Sequence, residues 1–343
     1  MSAGRKGVRD KVVWLAGLIG AVVIAVWVLP RVASYRDVAA AIAALSSVEI
    51  VSLFALGFVT IAVAGWSAQV ALPGLTWAHG TQSTLCANFL TALVPTGADL
   101  AVRFAMYRSW GFDAGRVTAA IAMAGLGRYL TLLSLPLLGM SAVLLAGRGD
   151  EQTALRLALG CAVFALLIAV PWLLLRREGL AHRFADRLEW TAQRIAGLLR
   201  RPAPEGVADR VLQAHGLIVS QARSRGLIVT FSQLTASLAN AVVLLAAVRF
   251  VGVSSDMLSW TEVLYAFALG TIAGVVPLTP GNIGVTELIL LGVLGLGAAN
   301  LQGPILAAAL LYRIFTWMLP IPLGIASFLW WRLGQVPRKK APQ

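Results

Sequence analysis

Apolar positions run along this chain in long unbroken blocks rather than in alternation, and six blocks fall near 11–30, 47–71, 117–146, 153–175, 227–250 and 303–331. About 20 apolar residues are what an α-helix needs to cross the hydrocarbon core of a bilayer. Two further apolar segments, 81–110 and 262–300, are interrupted near their middles by Pro and Gly. Proline breaks a helix, and in hydrocarbon each freed polar group costs several kcal/mol unless protein or a water-filled cavity satisfies it. The pattern predicts an all-α polytopic membrane protein with about six full spans and two broken segments, each a re-entrant hairpin or a pair of short spans.

The sharpest interruption is Pro277-Leu278-Thr279-Pro280-Gly281-Asn282-Ile283-Gly284-Val285-Thr286-Glu287. It has a partner at a fixed offset of 185 residues: Pro95 falls on Pro280, Arg128 on Arg313, Thr131 on Thr316 and Gly139 on Gly324. Matched Leu or Ala would mean little, but matched Pro and intramembrane Arg point to a duplication. Its units are about 47–147 and 227–332, each one span, one broken segment and one long span, within a single integral membrane domain over 1–343. Either count of the broken segment makes a unit cross an even number of times, and the lone span 153–175 adds one crossing. The second unit is therefore expected to be inverted relative to the first, a recurrent transporter architecture.

Composition agrees with the pattern: 59% of residues are apolar and 13% charged. The formal net charge of +13 raises nucleic acid as a partner, but its distribution argues for the membrane surface instead. The start is basic (Arg5, Lys6, Arg9, Lys11), the segment 176–225 holds ten arginines against five acids, and the end carries Arg332, Arg338, Lys339 and Lys340. The positive-inside rule then places both termini and 176–225 in the cytoplasm. The run Val12 to Leu29 reads as a retained span, because no small-x-small cleavage site follows it. Within 178–200, Leu180, Phe184, Leu188, Ile195 and Leu199 share a stripe that Arg183, Arg187, Arg194 and Arg200 avoid. Such a helix lies on the inner leaflet, with anionic headgroups as partners of 176–201, or packs on the span ends. A second short helix is expected near 206–222.

Neither Cys86 and Cys161 nor His79, His182 and His215 have a ligand spacing, and the usual nucleophile and phosphate-loop motifs are missing. No cofactor, metal or catalytic residue is implied. The candidate chemistry is binding. At the second break Thr279 is expected to cap a helix beginning at Pro280. At the first, Thr96-Gly97-Ala98-Asp99 reads as a cap with an acid at the third position. Both would aim free backbone donors at the protein centre, where helix N-termini hold anions. Arg128 and Arg313 stand mid-span, where an arginine costs about 2.5 to 3.5 kcal/mol. They need partners: a bound anion, with Arg103 adding charge, or Asp99 and Glu287 as internal staples. Gln82, Asn88, Gln233 and Asn240 each read first as interhelical hydrogen bonds. Asn88, close to the first break, is also a candidate ligand contact.

The pattern Asn88…Pro95-x-x-x-Asp99-x-x-x-Arg103, then Arg128, then Pro277-x-x-Pro280-Gly281-x-Ile283-Gly284-x-x-Glu287 and Tyr312-Arg313 resembles the lysylphosphatidylglycerol synthase transmembrane-domain family of flippase-like integral membrane proteins. The similarity covers roughly 12–332. Asn282 stands where the family usually has a second Gly, and Ala98 where a Gly usually precedes the acid. The resemblance implies transfer of an anionic, polyprenyl or hopanoid-type lipid between leaflets of a bacterial inner membrane. Full-length members add a soluble aminoacyl-transferase domain. This chain ends eleven residues after Arg332, so the expectation is a non-enzyme without lysyl transfer. Two alternatives stay open: a secondary transporter for a small anion, and a non-transporting partner of a lipid-modifying enzyme.

Overall fold

The computed structural model describes residues 35–93, 97–147, 149–176, 190, 207–273, 284–295 and 299–334, and every element in them is helical. The expected span at 11–30 and the amphipathic helix at 178–200, apart from Trp190, lie outside the described residues. The helices are α1 (Tyr35–Ala43), α2 (Ser47–Ala71), α3 (Trp77–Leu93), α4 (Ala98–Ser109), α5 (Ala114–Leu145), α6 (Glu151–Arg176), α7 (Val207–Phe250), α8 (Trp260–Ala273), α9 (Val285–Leu294), α10 (Gln302–Arg313) and α11 (Pro320–Gly334). Among the described residues, five stretches are long and apolar enough to cross a membrane: Ser47–Ala71, Ala114–Leu145, Glu151–Ala169, Val219–Phe250 and Gln302–Gly334. They coincide with five of the six expected spans.

Local chemistry sets the helix starts. Ser46 and Glu49 form a capping box that opens α2: the Ser46 N–H donates to Glu49 Oε2 at 2.7 Å, and the Glu49 N–H to Ser46 Oγ at 3.3 Å. Asp113 opens α5 by accepting from the Gly115 N–H at 2.7 Å. One expected boundary is absent. The short helix anticipated at 206–222 runs without a break into the following span as the 44-residue α7. No proline occurs between Pro204 and Pro277, and a lone Gly such as Gly216 or Gly226 costs only about 1 kcal/mol in a helix.

The interruptions are real. The first broken segment is α3 and α4, of 17 and 12 residues, and the second is α8 and α9, of 14 and 10 residues. Each helix is shorter than a membrane span. The last long span changes winding between α10 and α11, where Ile314–Met318 forms a π-helix. The Leu319 N–H reaches back to the Ile314 carbonyl at 2.8 Å, and Pro320 directly after it offers no N–H to resume the ordinary ladder.

The broken segments pack against the opposite half of the chain. A Cβ at Gly139 of α5 would lie 2.8 Å from the Tyr265 Cα of α8, and one at Gly324 of α11 would collide with the Leu85 carbonyl of α3. The two glycines paired by the 185-residue offset thus stand at reciprocal crossings, where a missing side chain lets backbones touch. The larger apolar core is built from α7, α8, α9 and α10, joined by Leu53 and Leu135.

Gly139→Val and Gly324→Val should each destabilise the protein by about 1–3 kcal/mol or more, read as a drop in thermal unfolding temperature in detergent. Gly216→Ala, with open space around it, should leave that temperature unchanged or raise it.

Candidate functional site

The second broken segment resumes at Gly284, whose φ of 86° is cheap only for glycine. Gly284 is the N-cap of α9, which begins at Val285. The expected cap Thr279, together with Pro280, Gly281 and Asn282, lies outside the described residues. The first broken segment resumes in the same way. Gly97, with φ 71° and no side-chain cap, is the N-cap of α4, taking the place expected for Thr96, which is also outside the described residues. Both helices therefore start from a left-handed glycine and carry an acid in the first turn, Asp99 and Glu287.

The two acids have different fates. Glu287 is buried, and its Oε2 accepts the Gly284 N–H at 2.7 Å, so the N-terminus of α9 is already answered by its own carboxylate. Its other oxygen meets Arg313: Nε lies 3.0 Å from Oε1, with side-chain exposures of 14% for Arg313 and 3% for Glu287. The Arg313 Nη2 also donates to Thr286 Oγ1 at 2.9 Å. For this pair the staple reading holds. With one carboxylate oxygen taken by Arg313 and the other by the Gly284 N–H, the charge-assisted bonds offset part of the cost of burying two charges.

Asp99 has no hydrogen bond or ion pair among the described residues, and neither has Arg128, so the expected Asp99–Arg128 pair is not formed. Arg128 sits near the middle of the 32-residue α5 with an exposed side chain. Arg103 makes one weak contact, Nη1 to Thr84 Oγ1 at 3.3 Å.

Asn88, Asp99, Arg103, Arg128 and Arg313 are brought together on one cavity of about 430 Å³. Its volume lies in the range of small-ligand sites, about 300 to 1,000 Å³. Gly97, Gly284 and Glu287 are not on its wall: Gly97 starts α4, which lines it, and Glu287 on α9 holds Arg313 of α10, which also lines it. The lining carries three guanidinium groups against one carboxylate, Asp99, with Glu287 behind Arg313. A cavity with that excess of positive charge suits an anion.

A family profile, that of the lysylphosphatidylglycerol synthase TM region, matches residues 13–324. The chain belongs to this family. The match takes in both broken segments and all three cavity arginines, and it ties this multi-pass membrane protein to lipid biology. Comparison with curated proteins finds no match.

Several lining residues of this family member were not legible beforehand. Thr84, Tyr107, Ser237 and Thr271 also face the cavity, and their hydroxyls sit in apolar helices without a distinctive spacing. Tyr312 and Thr316 line it too, and these the Tyr312-Arg313 pair and the 185-residue offset had marked. Gln82 behaves as expected, its Nε2 reaching the Ser327 carbonyl of α11 at 3.2 Å. Gln233 and Asn240 do not: both line the cavity, Asn240 bonds only the Ala236 carbonyl of its own helix at 2.8 Å, and Gln233 bonds nothing among the described residues.

Removing one member of the buried pair should cost more than removing both. Glu287→Ala should destabilise by about 3–5 kcal/mol. Adding Arg313→Ala to it should recover part of that loss in a double-mutant cycle of unfolding.

Proposed function

We propose that the protein moves a lipid with an anionic headgroup between leaflets, holding the headgroup in the arginine-lined cavity while the acyl chains stay in hydrocarbon. The observation that carries this reading is Arg128. It stands mid-span, opens on the cavity and has no hydrogen bond or ion pair among the described residues. An unpaired arginine at that depth is costly, and a phosphate oxygen pair supplies the bidentate counter-anion that a guanidinium fits. The family's link to lipid biology favours a lipid over a soluble anion.

In this reading the two halves are inverted repeats and the broken segments are re-entrant hairpins. The reciprocal glycine crossings, the twin left-handed glycines and the sub-span lengths of α3, α4, α8 and α9 support it. The basic ends of the chain lie in the cytoplasm of a bacterial inner-membrane protein. Arg103 and Arg128 engage the headgroup, Arg313 and Glu287 hold α9 against α10, and no group transfer is assigned to the chain. Polyprenyl and hopanoid-type lipids remain within the proposed class where they carry an anionic group.

A leaflet-sidedness assay in proteoliposomes tests this. A hydrogen bond to a charged group contributes about 1.5–3 kcal/mol, so Arg128→Ala should slow transfer of a labelled anionic phospholipid about tenfold or more. Unchanged transfer with the fold intact contradicts the assignment.

A further inference from the structure

We infer that the cavity opens sideways into the bilayer through a doorway between α4 and α5, and that the acyl chains of a membrane lipid pass there. This deepens the translocase reading of the same cavity and rests on it. Exposure locates the doorway. Three of the described lining residues are exposed: Asn88 late in α3, Leu100 in the first turn of α4 and Arg128 on α5. Every other described lining residue is buried or half-buried. A residue that is at once cavity wall and outer surface marks a mouth.

Packing closes the sides around it. Towards the turn at Gly111, Tyr107 of α4 shares one buried cluster with Val117 and Ala120 of α5 and with Leu72 and Leu75. Further along α5, a Cβ at Gly127 would lie only 3.3 Å from Val229 Cγ1 of α7. A Cβ at Gly125, by contrast, would meet nothing within 4 Å. Gly125 belongs to the stripe Ile121, Ala124, Gly125 and Arg128 that α5 presents to the cavity, at the spacing of one helix face. The helix is therefore packed tightly on one side and left unfilled on the other, beside the exposed arginine.

Depth decides what enters. Arg128 stands near the middle of a 32-residue span. The exposed surface beside the doorway is apolar, with Phe104 one turn after Leu100 on α4 and Tyr129 next to Arg128 on α5. The mouth therefore gives on hydrocarbon and not on water. A soluble anion gains nothing from an entrance at that depth. A lipid does: if its headgroup entered from an aqueous end, its chains would be drawn out of hydrocarbon against the hydrophobic effect. An opening level with Arg128 leaves the chains in the bilayer while the headgroup is inside.

Phosphatidylglycerol carrying a diazirine on one acyl chain is the probe, followed in proteoliposomes by its transfer between leaflets and by mapping its photo-crosslinks. Wild-type crosslinks should include Leu100 and Ala124. Gly125→Trp puts an indole in the doorway, so transfer and those crosslinks should both fall about tenfold or more, because a passing chain then overpacks the site. Gly125→Ala should stay near wild type and Gly125→Leu should fall between the two. Leu126→Trp, one residue on, is exposed and off the cavity wall; it should change neither readout. An unchanged thermal unfolding temperature verifies that a variant is folded, and should Gly125→Trp fail that check the Gly125→Leu variant decides. Wild-type transfer by the folded blocking variant, an equal loss for Leu126→Trp, or crosslinks missing from Leu100 and Ala124 overturns the inference. If wild type transfers no lipid, the translocase reading fails, and the crosslinks with their response to the blocking variant still decide whether chains occupy the doorway.

Discussion

A polar or charged group inside hydrocarbon must find a partner, and this one constraint organises the molecule. Backbone groups meet it through helices, so every described element is helical. Side chains meet it locally where they serve the fold: Glu287 takes the Gly284 N–H and Arg313 together, Gln82 takes a carbonyl of α11, and Ser67 takes Ser232. What is left over is informative. Arg128, Asp99, Gln233 and Ser237 have no partner among the described residues, and all four line the same cavity. Unmet demand gathered in one place is what a binding site looks like from the protein's side.

The cavity owes its existence to close helix crossings elsewhere. Gly139 against Tyr265 and Gly324 against Leu85 draw the broken segments of each half onto the long span of the other. Van der Waals packing of small residues drives such association where no hydrophobic effect operates between helices. Gly65 and Gly80 do the same between α2 and α3.

Much of this was legible in the sequence because membrane spans are written in long blocks. Five span positions, both interruptions and the choice of Glu287 as an acid near Arg313 followed from length, residue type and the 185-residue offset. The offset also marked Gly139 and Gly324 before any crossing was visible. Helix starts were harder: Thr96 looked like a cap by residue type, but glycine conformation, which leaves no polar signature, fixes the start of α4 at Gly97, and Gly284 opens α9 in the same way. The continuity of α7 was missed because a charged stretch before an apolar run looks like a boundary. Gln233 and Asn240 were read as interhelical bonds since the direction a side chain faces depends on helix rotation, which a lone polar residue does not reveal.

The central claim is that an anionic lipid headgroup answers Arg128. The most direct measurement is the lipid that copurifies with the protein, identified by mass spectrometry for wild type and Arg128→Ala. The account predicts a phosphate-bearing lipid enriched over its share of the membrane with wild type and lost from the variant. Retained lipid that mirrors the bulk membrane, or enrichment indifferent to Arg128, would contradict it.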